Sequence, residues 1–152
     1  MQIIKDKQLI DNVWVFAEDD SAAINDQDNI TVSVEHWKNQ AQQLLNRTGK
    51  TGLRIKPTDK VEDLAGMLQG IELIELDFPA FADGRLFSHA RLLRSRLGYQ
   101  GEIRAVGNYL PEQVFYLHRV GVNAFLPLEV NQVPLILSSL DDFTVKYQAS
   151  SI

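Results

Sequence analysis

The sequence predicts an α/β domain built on a five-stranded parallel sheet and preceded by an N-terminal β-hairpin, and three observations predict it. From Ile30 onward, short apolar runs alternate with segments of helical period, giving five strand-then-helix units. Residues that stop helices fall between those units, with Gly98 and Gly121 after helix ends and Pro111 in a first helical turn. A length of 152 residues, 45% of them hydrophobic, suits one domain around one packed core. Such units close most simply as a doubly wound sheet, with right-handed crossovers and helices on both faces; a partial barrel is the alternative.

The single domain divides into a hairpin and polar loop over 1–29 and a repeating core over 30–152. The hairpin is expected to pair Ile3 to Lys5 with Val13 to Phe16, and the stretch from Glu18 to Asn29 shows no apolar pattern. The expected core begins with strand Ile30 to Val34, helix Glu35 to Asn46 and strand Leu53 to Lys56. A helix from Asp59 to Leu68 follows, opened by the capping-box spacing of Asp59 and Glu62, and then strand Ile71 to Leu76. The remaining units are helix Ser88 to Leu97, strand Glu102 to Val106, helix Pro111 to Val120, strand Asn123 to Leu126 and a helix near Gln132 to Leu140. The final Thr144–Gln148 stretch, TVKYQ, reads as a short edge strand.

Composition excludes several kinds of chemistry. The chain has no cysteine, so it forms no disulfide, thiolate metal site, cysteine-ligated cluster or thiol redox pair. No apolar run reaches the roughly 18 residues that cross a bilayer, and the start lacks a leader pattern, so an untargeted cytoplasmic protein is expected. A net charge of -5 opposes ordinary nucleic-acid binding, which needs a basic excess. That charge is uneven: Arg85 to Arg119 holds six arginines, two glutamates and no lysine. Guanidinium forks suit oxyanions and protein interfaces, although solvation of a helix surface accounts for them as well.

The stretch LIELDFPAFADGRLFSHARLLRSRLGY is the most informative. An apolar strand ends in Asp77, and a loop with proline and glycine leads into a helix. Asp77, Phe78, Pro79, Asp83 and Gly84 resemble the phosphoacceptor unit of bacterial response-regulator receiver domains. That resemblance implies a flavodoxin-like or receiver-like three-layer sandwich with strand order 2-1-3-4-5. It does not carry the activity. Glu35 stands where an acidic pair is needed, Val106 replaces a hydroxyl residue, and Pro127 and Leu128 occupy the place of a lysine. For Asp77 and Asp83, loop capping is the plain structural alternative to a binding role.

A closer resemblance runs from near Gly52 to Phe125. Its elements are D-F-P-x-F-x-D-G-R, S-x-A-R-x-L-R, G-E-x-R-A-x-G and R-x-G-x-x-x-F. They are similar to the bacterial domain-of-unknown-function family number 934, whose members are described as probable oxidoreductases involved in sulfite reduction and are encoded beside sulfite reductase genes. The sequence departs from that pattern at Asn108 and at Val122-Asn123, where aspartates would stand. The resemblance implies an accessory role in assimilatory sulfite reduction, with sulfite reductase or another sulfur-assimilation enzyme as partner.

In an open parallel sheet, ligands bind beyond the carboxyl ends of the strands. Asp77, Asp83, Arg85, Ser88, Gly107 and Asn108 are expected near that edge, with Ser88 and Arg91 at a helix start that favours anions. One reading is a pocket for a small sulfur- or phosphate-containing anion, with Arg85 as ligand and Asp77 or Asp83 as acid or base. The competing reading makes Arg85, Arg91, Arg94 and Arg104 part of a docking surface, with Phe81 and Phe87 as anchors unless they are core. A third is a dimerising regulatory module independent of phosphate, its hairpin packing on a sheet edge or forming the dimer contact.

No cofactor or metal is expected. GRLFS lacks the glycine pattern of a dinucleotide or phosphate loop, so whether the chain is an enzyme stays open. His36, His89 and His118 have no metal-ligand spacing. Trp14 and Trp37 are expected to pack rather than stack on a ring.

Overall fold

The computed structural model describes residues 1–18, 25–79 and 84–150, with 142–150 described by backbone alone. The alternation read from the sequence is present as an α/β architecture with an N-terminal hairpin. β1 (Gln2–Lys5) turns back into β2 (Gln8–Asp11) through Asp6 and Lys7, both at positive φ. Such a two-residue left-handed turn matches the twist of the strands it joins. The hairpin's second arm is thus Gln8–Asp11 and not Val13–Phe16. β3 (Trp14–Phe16) instead opens a parallel run of six strands: β3, β4 (Asn29–Ser33), β5 (Thr51–Ile55), β6 (Ile71–Phe78), β7 (Glu102–Gly107) and β8 (Ala124–Phe125).

Among the described residues, four α-helices follow strands. They are α1 (Val34–Leu45), α2 (Arg85–Ser95), α3 (Val114–Arg119) and α4 (Val133–Ser150). Ser33 caps α1, its hydroxyl accepting from the His36 amide at 3.1 Å. Two expectations fail locally. The helix predicted over 59–68 is a single 3-10 turn, Val61–Leu64, because Ala65 is already extended and Gly66 sits at φ +77. The Thr144–Gln148 stretch continues α4 instead of forming an edge strand, since β-branched residues favour a strand only where a pairing surface exists.

The strand order corrects the predicted topology. Along the sheet it runs β2-β1-β8-β7-β6-β5-β4-β3, so successive parallel strands always add on the same side. Among the described residues no strand reverses the direction of growth, and neither the 2-1-3-4-5 order nor the five-stranded three-layer sandwich is present. With right-handed crossovers, monotonic growth puts every connecting helix on one face. Alternate strand residues on that face, including Val32, Leu53, Ile74, Leu76, Phe78, Ile103 and Phe125, form one core with Trp37, Leu86, Leu93, Leu117 and Ile136 of the helices.

The sheet must also curl. Its edge strands β2 and β3 are joined by only Asn12 and Val13. A flat eight-stranded sheet would hold those edges about 34 Å apart, whereas three peptide steps reach about 11 Å. The strands therefore wrap into a barrel-like cylinder, close to the partial barrel weighed above, and their second face becomes an interior.

That interior is filled by charge as well as by Ile3, Leu73, Val106 and Ala124. Register places Ser33, Arg54, Glu75, Arg104, Ala124 and Lys5 side by side on β4, β5, β6, β7, β8 and β1. Arg104 is 1% exposed and Glu75 3%. Glu75 Oε1 accepts from Thr31 Oγ1 at 2.8 Å and from Arg54 Nε at 3.1 Å. Arg104 donates to Glu102 Oε2 from Nε at 2.9 Å and to Asn12 Oδ1 from Nη1 at 2.9 Å. Its Nη2 lies 2.7 Å from the same Glu102 oxygen, and Lys5 Nζ is 3.0 Å from Glu102 Oε1. Buried charges persist only when paired and hydrogen-bonded, which is the condition met here.

Candidate functional site

The carboxyl ends of β6 and β7 form the edge to which the sequence pointed. Asp77 and Val106 are paired in register, as are Phe78 and Gly107. Gly107 has φ +85, and a side chain there would meet the Phe78 carbonyl oxygen at 2.5 Å and Asp77 Oδ1 at 2.9 Å. Glycine lets the two strand ends approach while the half-buried Asp77 carboxylate lies over the Gly107 Cα. Asn108 then binds the turn after β6, its amide donating to the Phe78 carbonyl at 2.8 Å and its Nδ2 to the Pro79 carbonyl at 3.2 Å.

Aromatic residues support this edge from the core side. Phe78 meets Phe87 and Tyr109 edge-on, each at 6.1 Å between ring centres, and Tyr109 meets Phe125 at the same distance. Phe87 is thus a half-buried packing residue, not an exposed anchor. The Tyr109 hydroxyl donates to the Leu126 carbonyl at 2.8 Å, and burial raises its pKa well above the usual phenol value, so it stays protonated.

α2 rises beside the edge. It begins at Arg85 after Gly84, which offers no side-chain cap, and the His89 ring is 3.0 Å from the Pro57 carbonyl through Nε2. Leu86, Ala90 and Leu93 are buried. The opposite arc carries Arg85, Ser88, Arg91, Ser95 and Arg96, all exposed. No acid occurs from Arg85 to Arg96.

The structure therefore separates the predicted site residues into groups. Asp77, Gly107 and Asn108 meet at the strand ends, and Arg85 and Ser88 stand at the start of the adjoining helix. Arg91 lies farther along the same exposed arc. Arg94 is elsewhere, on the inward side near the end of α2. Its guanidinium donates to the Gly121 carbonyl from Nε at 3.0 Å and from Nη2 at 2.8 Å. Nη1 donates to the carbonyls of Tyr99 at 2.9 Å and Gly101 at 2.7 Å. With these donors occupied, Arg94 clamps the entries to β7 and β8 and does not serve a docking face. Arg94→Ala should cost about 1–2 kcal/mol, because three carbonyls lose charged donors in a half-buried place. Chemical denaturation would measure it, and a change below a few tenths would remove the clamp's importance.

Arg104 is the larger correction, since it lies inside the cylinder and not at the surface. Asp83 and Phe81 lie outside the described residues. His36, His89 and His118 do not converge, and among the described residues no group of three histidine, aspartate or glutamate side chains could hold a metal. Trp37 is buried, donating to the Met67 carbonyl at 3.0 Å, while Trp14 is half-buried.

Sequence reasoning missed the interior charge layer and a groove on the outer surface. Glu75 and Arg104 interrupt the apolar runs LIELD and EIRAV, and an ionisable residue in mid-strand was a usable signal. The groove, about 240 Å³, lies between the 3-10 turn and α2 and is lined by Val61, Glu62, Ala65, Leu92, Arg96 and Leu97. A second depression of about 390 Å³ lies between α3 and α4, lined in part by Phe115, Tyr116 and Leu135.

No helix among the described residues is long and apolar enough to cross a membrane. No curated protein matches the chain significantly. The profile of one bacterial family does match, over residues 52–152, which takes in all but the first residue of β5 and every element through α4, with the strand-end residues and all of α2. The chain belongs to the bacterial protein family of unknown function DUF934.

Proposed function

We propose that the protein is an accessory factor of assimilatory sulfite reduction that docks on sulfite reductase through the outer arc of α2. The supporting observation is that arc: Arg85, Arg91 and Arg96 exposed on one side of a helix without a carboxylate, on a chain of net charge -5. A surface kept basic against the overall balance suits an acidic partner, because guanidinium groups pair bidentately with carboxylates and are enriched at interfaces. The link to sulfite reduction comes from the family resemblance.

The test uses purified sulfite reductase from the source cells, with wild-type protein and the Arg85→Ala, Arg91→Ala variant. Wild type should form a stoichiometric complex on size exclusion. The variant should bind about 10- to 100-fold more weakly, the usual range for losing two interface arginines. Absence of a complex with wild type at physiological salt would refute the docking function.

A second reading is favoured by the meeting of Asp77, Gly107 and Asn108 beside the start of α2. It makes the protein an enzyme on a small sulfur- or phosphate-containing anion, with Arg85 holding the anion and Asp77 exchanging the proton. Calorimetric titration with sulfite, sulfate and phosphate tests it; identical heats for wild type and Arg85→Ala would discard it.

A further inference from the structure

Beside the arginine arc, the groove between Val61–Leu64 and α2 has its own chemistry. Its floor is apolar, made by Val61, Leu92 and Leu97. Its two lips differ in sign. Arg96 forms the α2 lip, with Arg91 on the same exposed arc, and Glu62 forms the lip on the 3-10 turn. Among the described residues, neither Arg91 nor Arg96 makes an ion pair or side-chain hydrogen bond. Asp63, next to Glu62, is already paired with Lys38 at 3.4 Å. Ala65 is exposed at the mouth, and nothing lies within 4 Å of where a side chain on the next residue, Gly66, would begin.

We propose that this groove receives one aliphatic or aromatic side chain from an acidic segment of the partner, with the carboxylates beside that side chain meeting Arg91 and Arg96. Charge complementarity selects the occupant. A basic segment would face two guanidinium groups, and a purely polar one would leave the apolar floor wet. Glu62 fixes the orientation, since the carboxylates must lie on the α2 side of the anchor and not on the side of the turn. This anchoring adds to a helix face of charge the desolvated pocket that interfaces use for most of their energy. The proposal rests on α2 as the docking element and names the chemistry of what docks.

Two probes test it on the full chain. The first is a synthetic heptapeptide of three glutamates, one leucine and three glutamates, titrated into isotopically labelled protein and followed by NMR. Shifts should be confined to 61–65 and 91–97. They should vanish in Ala65→Trp, whose indole would fill the mouth, and weaken about tenfold in Arg91→Ala, Arg96→Ala. A heptapeptide with serine replacing leucine should bind at least about tenfold more weakly, as the lost apolar anchor requires. Equal binding of the two peptides, or shifts that persist in Ala65→Trp, would overturn the groove assignment.

The second probe is sulfite reductase. Ala65→Trp should weaken that complex about tenfold, the loss of one anchor. A complex lost in Arg85→Ala, Arg91→Ala but unchanged in Ala65→Trp overturns the groove and leaves the docking face standing. Groove-confined peptide shifts without any reductase complex overturn the sulfite reductase reading and leave the groove.

Discussion

Arg104→Ala should lower stability by about 3–5 kcal/mol, the range for removing one partner of a buried ion pair. The loss follows from what remains behind. Glu102 would keep only Lys5, and Glu75 would keep Thr31 and Arg54, while the Asn12 side chain would lose its donor across the cylinder. A native chain of this size holds about 5–15 kcal/mol in all. The midpoint of thermal unfolding should fall by about 10 °C, at the 2–4 °C per kcal/mol typical of this length. Arg104→Met separates charge from volume: it fills the space but leaves the same carboxylates short of a cation. It should therefore resemble Arg104→Ala more than wild type. Glu102→Leu combined with Arg104→Met should recover much of the loss, because it removes both members of the pair joined at 2.7 Å, and a buried pair replaced by apolar residues of similar volume is often neutral. If Arg104→Ala unfolds within 1 kcal/mol of wild type in denaturant, the interior charge layer contributes little to holding the cylinder.

The second large effect is expected at Gly107. Replacing it by alanine puts a Cβ 2.5 Å from the Phe78 carbonyl oxygen, on a backbone already at φ +85. The left-handed conformation alone costs about 1–2 kcal/mol for an L-residue. Separating two packed strand ends adds about as much again, for a total near 3 kcal/mol. Gly98→Ala is the internal control. Its φ is +67, but nothing lies within 4 Å of the new methyl, so only the conformational part should appear. Unfolding both variants in guanidinium would show the difference, and equal losses at the two positions would mean that the close approach of β6 and β7 is easily relaxed. Amide shifts at Asp77 and Asn108 should move in Gly107→Ala and stay fixed in Gly98→Ala.

Much of the fold was legible because the signals concerned were local. β7 was placed to within one residue, since an apolar alternation between Gly101 and Gly107 leaves few choices. α1 and α2 were found from their apolar faces. Strand order was not legible, because a run such as LIELIEL marks a strand without saying which strand lies beside it. The receiver-like appearance of Asp77-Phe78-Pro79 drew the reading toward a sheet that grows in both directions. The order here grows in one, and only the short link through Asn12 and Val13 hints at closure. The hairpin's second arm was missed because Asp6-Lys7 is not the usual glycine-containing turn pair.

The candidate site was legible in the same uneven way. Asp77, Gly107 and Asn108 were placed together correctly by the rule that strand ends gather ligands. Arg94 and Arg104 were misassigned because an arginine's sequence position does not reveal whether its fork meets carbonyls, carboxylates or water. The groove left no mark on the sequence, since it exists only where a short 3-10 turn lies against α2.

The pairing of β1 with β8 bears on how the chain acquires its structure. Ile4 and Lys5 are partnered by Phe125 and Ala124, about 120 residues later. During synthesis this hairpin leaves the ribosome long before its neighbour exists, and it must wait with Ile3 and Ile4 in water until β8 has emerged. Contacts so distant in sequence slow folding and lengthen the period in which an unpaired strand is open to wrong partners. Exposed Lys7 in the hairpin's turn and Asp11 at the end of β2 supply charges on the waiting hairpin that discourage such pairing. A strand made this far ahead of its neighbour completes its pairing late.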